Sequence, residues 1–334
     1  MKYFFSILIV SFLAVLVQTS TASALTVSPA KIEITGDAGT TIFGEIDLYN
    51  EQEESKIFFS SFENFEPAGE SGAPHFIGAT DGLASWLSTT DQVALDRAQR
   101  VKIPFSITIP AETEPGGYFA AIFFGSSPPG TGASGEVSIG GKIGILVLLR
   151  VSGEVEESGG ILDFGIGQNK KLLSSVPVNF SYRINNTGGD RIVPLGDIVI
   201  KNTFRLRSAS LAANVKEGSV LPSSARKFEV VWDQKPDPLV KENESKGHGT
   251  SFFEKASTQW KEFHFGWYTA NLDLVWGTTN QRAQVKYHFF ILPWQLFIII
   301  TLILTVGISL LRVGLKKYNR FIIAQAQAMN KKNE

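Results

Sequence analysis

The 334-residue sequence contains no cysteine. That excludes a disulfide framework, a thiolate nucleophile or metal ligand, and lipid attachment at an N-terminal cysteine. Histidine is scarce as well. His75, His248, His264 and His288 stand far apart, and none has the HxH or HExxH spacing that places two metal ligands on one face. No serine occupies a GxSxG turn. Gly130-Thr-Gly-Ala-Ser-Gly135 satisfies GxGxxG in form, but a dinucleotide site requires a strand turning directly into a helix. Here Pro128-Pro129 precedes it and a β run follows, as in a flexible hairpin loop. Acidic residues such as Glu51, Glu53 and Glu54 lie in turns and read as solvating charges. Paired carboxylates for sugar hydrolysis assemble in space rather than in sequence, and nothing in the spacing selects one pair. The expectation is a chain without a cofactor, without a metal and without enzymatic activity.

What the sequence does have is two long apolar runs, one at each end. Lys2, an apolar stretch from Phe4 to Val17, and Ala22-Ser23-Ala24 follow the order of a secretory signal with its cleavage site. This reading starts the mature chain near Leu25, with an uncleaved anchor as the alternative. The second run, Ile291 to Leu311, carries no charge over 21 residues; crossing a hydrocarbon core takes about 20. Trp294 sits at its outer edge, and Arg312, Lys316, Lys317 and Arg320 follow its inner edge. The positive-inside rule then puts the basic tail, 312–334, in the cytoplasm. A buried core helix is the alternative for this run.

Setting aside Lys2 and the six basic residues after Phe290 leaves 24 of the 31 Lys and Arg, against 31 of the 32 Asp and Glu once Glu334 is set aside. The intervening region, 25–290, is thus net −7. Phosphate neutralisation needs a basic surface, so nucleic acid is excluded as a partner. The basic tail suits anionic lipid headgroups.

Strand periodicity dominates that region. Val101, Ile103, Phe105, Ile107 and Ile109 are apolar at every second position, as are Val176, Val178, Phe180, Tyr182 and Ile184. Pro104 and Pro177 fall on the opposite positions, which predicts edge strands or bulges. Gly141 to Glu154 is apolar on both faces and predicts a central strand. The acidic and glycine-rich stretch up to Gly160 reads as a linker. The expected domains are 25–157 and 158–290, each about 130 residues and large enough to fold without disulfides.

A loose repeat relates the two halves. Gly116-Gly-Tyr-Phe-Ala-Ala-Ile122 matches Gly266-Trp-Tyr-Thr-Ala-Asn-Leu272, and Leu48-Tyr49-Asn50 is echoed by Ile184-Asn185-Asn186. A tyrosine near the start of a late strand is the mark of the tyrosine corner in immunoglobulin-like sandwiches. The expected fold is all-β, with two tandem immunoglobulin-like β-sandwich domains and one C-terminal transmembrane α-helix. Gly125 to Gly135 forms a Pro/Gly/Ser loop between two apolar strands, and Asp233 to Glu262 is a long polar stretch holding Phe252, Phe253 and Trp260. Three placements suit these aromatics: on lipid headgroups, against a partner, or in a short helix on the second sandwich. Asn179, Asn185 and Asn243 head N-glycosylation acceptor triplets, read as unmodified.

Thr26-Val-Ser-Pro29, Leu48-Tyr-Asn50, Ile103 to Pro110 and the glycine-tyrosine strand at Gly116 resemble the WxL-interacting cell-surface proteins of bacteria. The resemblance covers the order of signal, two sandwiches, membrane helix and basic tail. It implies a place at the cell wall, with peptidoglycan or WxL-protein binding in the first exported domain. A weaker resemblance links Ile103 to Pro110 and Pro115-Gly-Gly-Tyr118 to immunoglobulin-like bacterial domains that include pilus chaperones, which are soluble and use basic cleft residues. The leading functional expectation is a single-pass membrane-anchored binding or structural module of the bacterial cell envelope. It would be held by 291–311 and contact cell-wall glycan or an envelope protein through the 125–135 loop and Phe252, Phe253 and Trp260. A tethered polysaccharide hydrolase and an accessory subunit of an export or signalling complex are the alternatives.

Overall fold

A computed structural model describes residues 25–128, 141–233 and 251–330. The segment expected as a signal, the GxGxxG stretch, His248, Asn243 and the last four residues lie outside the described residues. The chain divides into two compact units: residues 25–68, 73–156 and 188–190 in the first, and 69–72, 157–187 and 191–330 in the second.

In the first unit, β1 (Leu25–Ser28), β3 (Thr41–Asn50), β8 (Arg100–Thr108) and β6 (Leu87–Thr89) form one sheet in that order. The facing sheet runs β2 (Lys31–Gly36), β10 (Lys142–Val151), β9 (Gly116–Gly125), β4 (Lys56–Pro67) and β5 (Pro74–Phe76), and β7 (Gln92–Leu95) also pairs with β4. A short helix, α1 (Gly82–Trp86), buries Leu83 and Ala84. Alternation decides which side chains go inward: Ile46, Leu48, Ile103, Phe105 and Ile107 join Ile122, Phe124, Val147 and Leu149 in one core. Truncating any of these to Ala would cost about 2–5 kcal/mol. β10 lies between β2 and β9, so its apolar character on both faces reflects a central position. Pro104 does not mark an edge strand, because β8 lies between β3 and β6; the β6 ladder stops at Phe105, one residue short of the proline. The Thr89 hydroxyl donates to the Pro104 carbonyl at 2.8 Å.

The second unit repeats the plan. β11 (Gly159–Ile166), β13 (Val178–Asn186) and β16 (Ser224–Trp232) form one sheet. β12 (Leu172–Leu173), β18 (Gln281–Ile291), β17 (Gly266–Trp276), β14 (Leu195–Lys201) and β15 (Arg207–Ala212) form the other. In each unit the opening segment switches sheets. β1 pairs antiparallel with β3 and β2 parallel with β10; β11 pairs antiparallel with β13 and β12 parallel with β18. β13 starts at Val178, so Pro177 lies ahead of the ladder. The strict alternation of β17 buries Tyr268, Ala270, Leu272, Leu274 and Trp276 against Phe180, Tyr182 and Ile184. Tyr182 stacks on Phe228 with centroids 5.0 Å apart and donates to the Ala213 carbonyl at 3.1 Å.

The residues of the sequence repeat do equivalent work. The Tyr118 hydroxyl donates to the Glu114 carbonyl at 3.0 Å, and Tyr268, at the corresponding place in the second unit, is buried and stacks on Phe289 with centroids 5.6 Å apart. Burial pushes the pKa of both hydroxyls up. Asn50 and Asn186 are the last residues of β3 and β13, 0% and 1% exposed. The Asn50 amide donates to the carbonyls of Glu54, Leu95 and Asp96 at 2.9, 3.2 and 3.1 Å, and its oxygen accepts from the Gln52 N–H at 3.0 Å. Asn186 donates to the Val220 carbonyl at 2.9 Å. A buried carboxamide at this position supplies donors to loop carbonyls that no ladder reaches.

The stretch expected as a linker is tied down at its end. Glu157 accepts from the Thr278 N–H at 2.7 Å, the Thr278 hydroxyl at 2.9 Å and the Thr279 N–H at 3.2 Å, so it caps the turn between β17 and β18. Burial pushes its pKa up, but the Thr278 and Thr279 donors outweigh that and hold it below the ordinary value. At the far end β18 runs to Ile291, which is fully buried. The following helix, α3 (Trp294–Asn330), therefore starts later than the apolar run and continues through the basic tail.

Replacing Asn50 or Asn186 by Ala is expected to destabilise the chain by about 2 kcal/mol each, because buried carbonyls lose their donor. Thermal unfolding of the two variants checks this. Wild-type melting temperatures would contradict the clamp role.

Candidate functional site

Several segments of the second unit meet where it passes into α3. β18 delivers the chain there, and both its edges are held: Ile291 is opposite Gly266 of β17 and Leu173 of β12. The Phe290 N–H donates to the Lys171 carbonyl at 2.7 Å and the Leu292 N–H to the Leu173 carbonyl at 2.8 Å. Pro293 then stops the ladder, since proline cannot donate. The Phe297 N–H returns to the Pro293 carbonyl at 3.1 Å as the helix begins.

A second helix, α2 (Phe252–Lys261), braces this exit. Its start carries a capping box between Ser251 and Glu254, in which the Ser251 N–H donates to the Glu254 carboxylate at 2.8 Å. Ala256 and Gln259 face inward, and Gln259 is 1% exposed. The Gln259 carboxamide donates to the Ser174 carbonyl at 3.1 Å and to the Gln295 side-chain oxygen at 2.5 Å. Its own oxygen accepts from the Leu296 N–H at 3.0 Å. One side chain thus joins the β12–β13 loop, α2 and the first turn of α3. The Leu296 N–H has no partner within its own helix, as is general for the first turn, and Gln259 supplies one in a buried setting.

Aromatic rings surround the clamp. Phe252 meets Trp294 edge-on at 5.9 Å and Phe253 at 5.6 Å. On another side Phe265 touches Phe290 at 5.7 Å and Phe297 at 5.5 Å, and Trp267 touches Phe290 at 5.1 Å. Underneath, buried Trp232 packs against His264 at 5.3 Å and Tyr268 at 5.6 Å, and His264 Nδ1 lies 3.0 Å from the Glu262 carbonyl.

Of the residues singled out from sequence, Phe252, Phe253 and Trp260 all lie on α2. Phe252 is turned toward α3, while Phe253 and Trp260, seven positions apart, are 72% and 70% exposed along one side of the helix. The loop that begins at Gly125 is described only to Pro128, so its tip lies outside the described residues. His75 pairs with Glu66 at 3.1 Å and His288 with Thr269 at 3.0 Å, so each described histidine has a separate partner. Gln259 and Gln295 were not singled out, because their contact joins positions 36 apart. Ser251-x-x-Glu254 was the legible sign of a helix start in this polar stretch.

No protein-family model matches the chain, and no curated protein is similar to it in sequence. Among solved structures it is similar to the class 5 fimbriae chaperone CfaA, with TM-score 0.37 and 13% identity over 80% of this chain and 100% of that one. It is also similar to the Acinetobacter baumannii CsuC–CsuE chaperone–tip adhesion subunit complex (TM-score 0.35, 9% identity, 79% and 98% covered). A Salmonella enterica SafA pilin–SafB chaperone complex has TM-score 0.36 at 8% identity, with 82% and 99% covered. Likenesses this distant transfer no partner and no activity.

Gln259→Ala is expected to leave the Leu296 N–H and the Ser174 carbonyl without their buried partner, which costs about 1–3 kcal/mol for each. Hydrogen exchange should then speed up at Leu296 and along α2 while the β17–β18 ladder stays protected. Unchanged protection at Leu296 would contradict the clamp.

Proposed function

We propose that this chain is a single-pass envelope protein whose membrane helix presents two β-sandwiches on the outer side, where they act as a binding module. The observation that carries this reading is α3 itself. Trp294–Ile323 has a mean hydropathy of 2.5 over its most apolar window, and only 6% of that window is buried. A helix this apolar in a globular protein normally packs into a core, whereas this one is left uncovered. From Trp294 to Leu311 it carries no charge, a rise of about 27 Å at 1.5 Å per residue, close to the hydrocarbon thickness of about 30 Å.

Arg312, Lys316, Lys317 and Arg320 follow the apolar part, which under the positive-inside rule puts the C-terminus in the cytoplasm and both sandwiches outside. The cleavable signal expected at 1–24 calls for the same orientation. Trp294 at the outer boundary is the ring type that favours the interface. In keeping with the resemblance to WxL-interacting proteins, the ligand is assigned to cell-wall glycan or a surface protein.

The absence of native cysteine makes orientation directly measurable. Thr279→Cys should react with a membrane-impermeant maleimide in intact cells, and Asn319→Cys only after lysis. The reverse pattern would refute the orientation. Binding is checked with the detergent-solubilised full chain on purified peptidoglycan and on purified surface proteins. No retention on either, relative to detergent alone, would remove the ligand assignment.

A further inference from the structure

At the end of the second unit from which α3 emerges, the turning segments carry exposed rings. Phe204 is 80% exposed in the turn between β14 and β15, and Phe253, Trp260, Phe263, Phe265 and Trp267 are exposed on α2, the segment leading into β17 and the start of that strand. The register places them together. Gly266 pairs with Ile291, the last strand residue before α3, and Lys201 pairs with Thr269. The Trp267 N–H donates to the Thr203 hydroxyl at 3.0 Å, and that hydroxyl donates to the Trp267 carbonyl at 3.1 Å. Asn202 accepts from the N–H groups of Phe204 and Leu206, both at 3.0 Å, so the turn bearing Phe204 is internally braced.

The opposite end is built differently. Its connections within the second unit, 191–194, 213–223 and 277–280, contain no aromatic residue. Among the described residues of the second sandwich outside α3, the exposed rings therefore lie at the end that faces the helix exit. Chance scattering of single apolar residues over a surface does not produce that segregation.

We infer that this end of the second sandwich is a lipid-embedded foot, with its exposed rings seated in the interfacial zone of the outer leaflet around the entry of α3. The inference rests on α3 crossing the membrane. Two ring chains run without a break from the foot onto the first turn of that helix, Trp267–Phe290–Phe265–Phe297 on one side and Phe253–Phe252–Trp294 on the other. Trp294, the first residue of α3, marks the outer interface, so rings in contact with it lie at headgroup depth, where amphipathic aromatics are favoured. Arg205, Lys255 and Lys261 are exposed beside these rings, as cations that would meet lipid phosphates. The Gln259 clamp makes the seating firm, because α2 cannot lift away without breaking its bonds to Leu296 and Gln295.

The test uses the full chain in vesicles of phosphatidylcholine with a minority of phosphatidylglycerol. A nitroxide is placed at one introduced cysteine at a time: Phe204→Cys, Phe253→Cys, Trp260→Cys, Thr279→Cys and Ile303→Cys. Collision with oxygen, which partitions into lipid, is compared with collision with a water-soluble nickel chelate. The expected result is a several-fold higher oxygen-to-nickel ratio at 204, 253 and 260 than at 279, and the highest ratio at 303. If 204, 253 and 260 match 279 while 303 remains in lipid, the foot is overturned and the anchor stands. If 303 is itself aqueous, both fail. The substitutions are at exposed positions, and each variant's melting temperature confirms that it is folded.

Discussion

The last strand of the second sandwich and the apolar helix are one continuous piece of chain, and the rest of this end depends on how their joint is held. β18 is paired on both edges up to Ile291, so the chain leaves the sandwich at a determined point. A strand running into a long apolar helix would ordinarily leave first-turn N–H groups without a protein partner. Here a buried carboxamide, Gln259, meets one of them and also takes in Gln295 and the Ser174 carbonyl. The geometry of a flexible tether is replaced by a braced corner. The aromatic contacts around it then become fixed relative to the helix rather than relative to a loop.

The two sandwiches solve the same problem twice with different side chains. Each needs its opening strand to close both sheets, and each does so by crossing from an antiparallel to a parallel pairing. Without disulfides, the points where loops leave the ladders must be satisfied by hydrogen bonds. Asn50 and Asn186 meet that need at the end of equivalent strands, and Tyr118 closes a corner of the first unit. Gly266 lies at φ 110°, and a Cβ there would come within 2.6 Å of the Thr203 hydroxyl. The glycine that opens the repeat motif thus allows close approach of the turn that carries Phe204.

Period-two alternation such as Val178 to Ile184 reads directly as strands, because the pleat sends every second side chain inward whatever the sheet partner. The uncharged run before Arg312 reads as a membrane helix for an equally local reason, since length and polarity alone decide partition into hydrocarbon. The two-sandwich organisation was also within reach, through the repeated Gly-x-Tyr and the paired asparagines.

Local pattern could not say where β18 ends, because Ile291 is as apolar as Ile298 and only pairing with Gly266 and Leu173 assigns it to the sandwich. Nor could it choose among the placements of Phe252, Phe253 and Trp260. A capping box announces a helix at Ser251, but which face is covered depends on α3, more than thirty residues away in sequence. Gln259 and Gln295 look like ordinary polar residues, and their role exists only where tertiary folding removes water from between them. Periodicity and polarity of contiguous residues suffice to specify the strands, the two sandwiches and the apolar helix. The tertiary structure alone decided the braced exit and the ring of aromatics around it, since burial and hydrogen bonding between distant segments are properties of the fold.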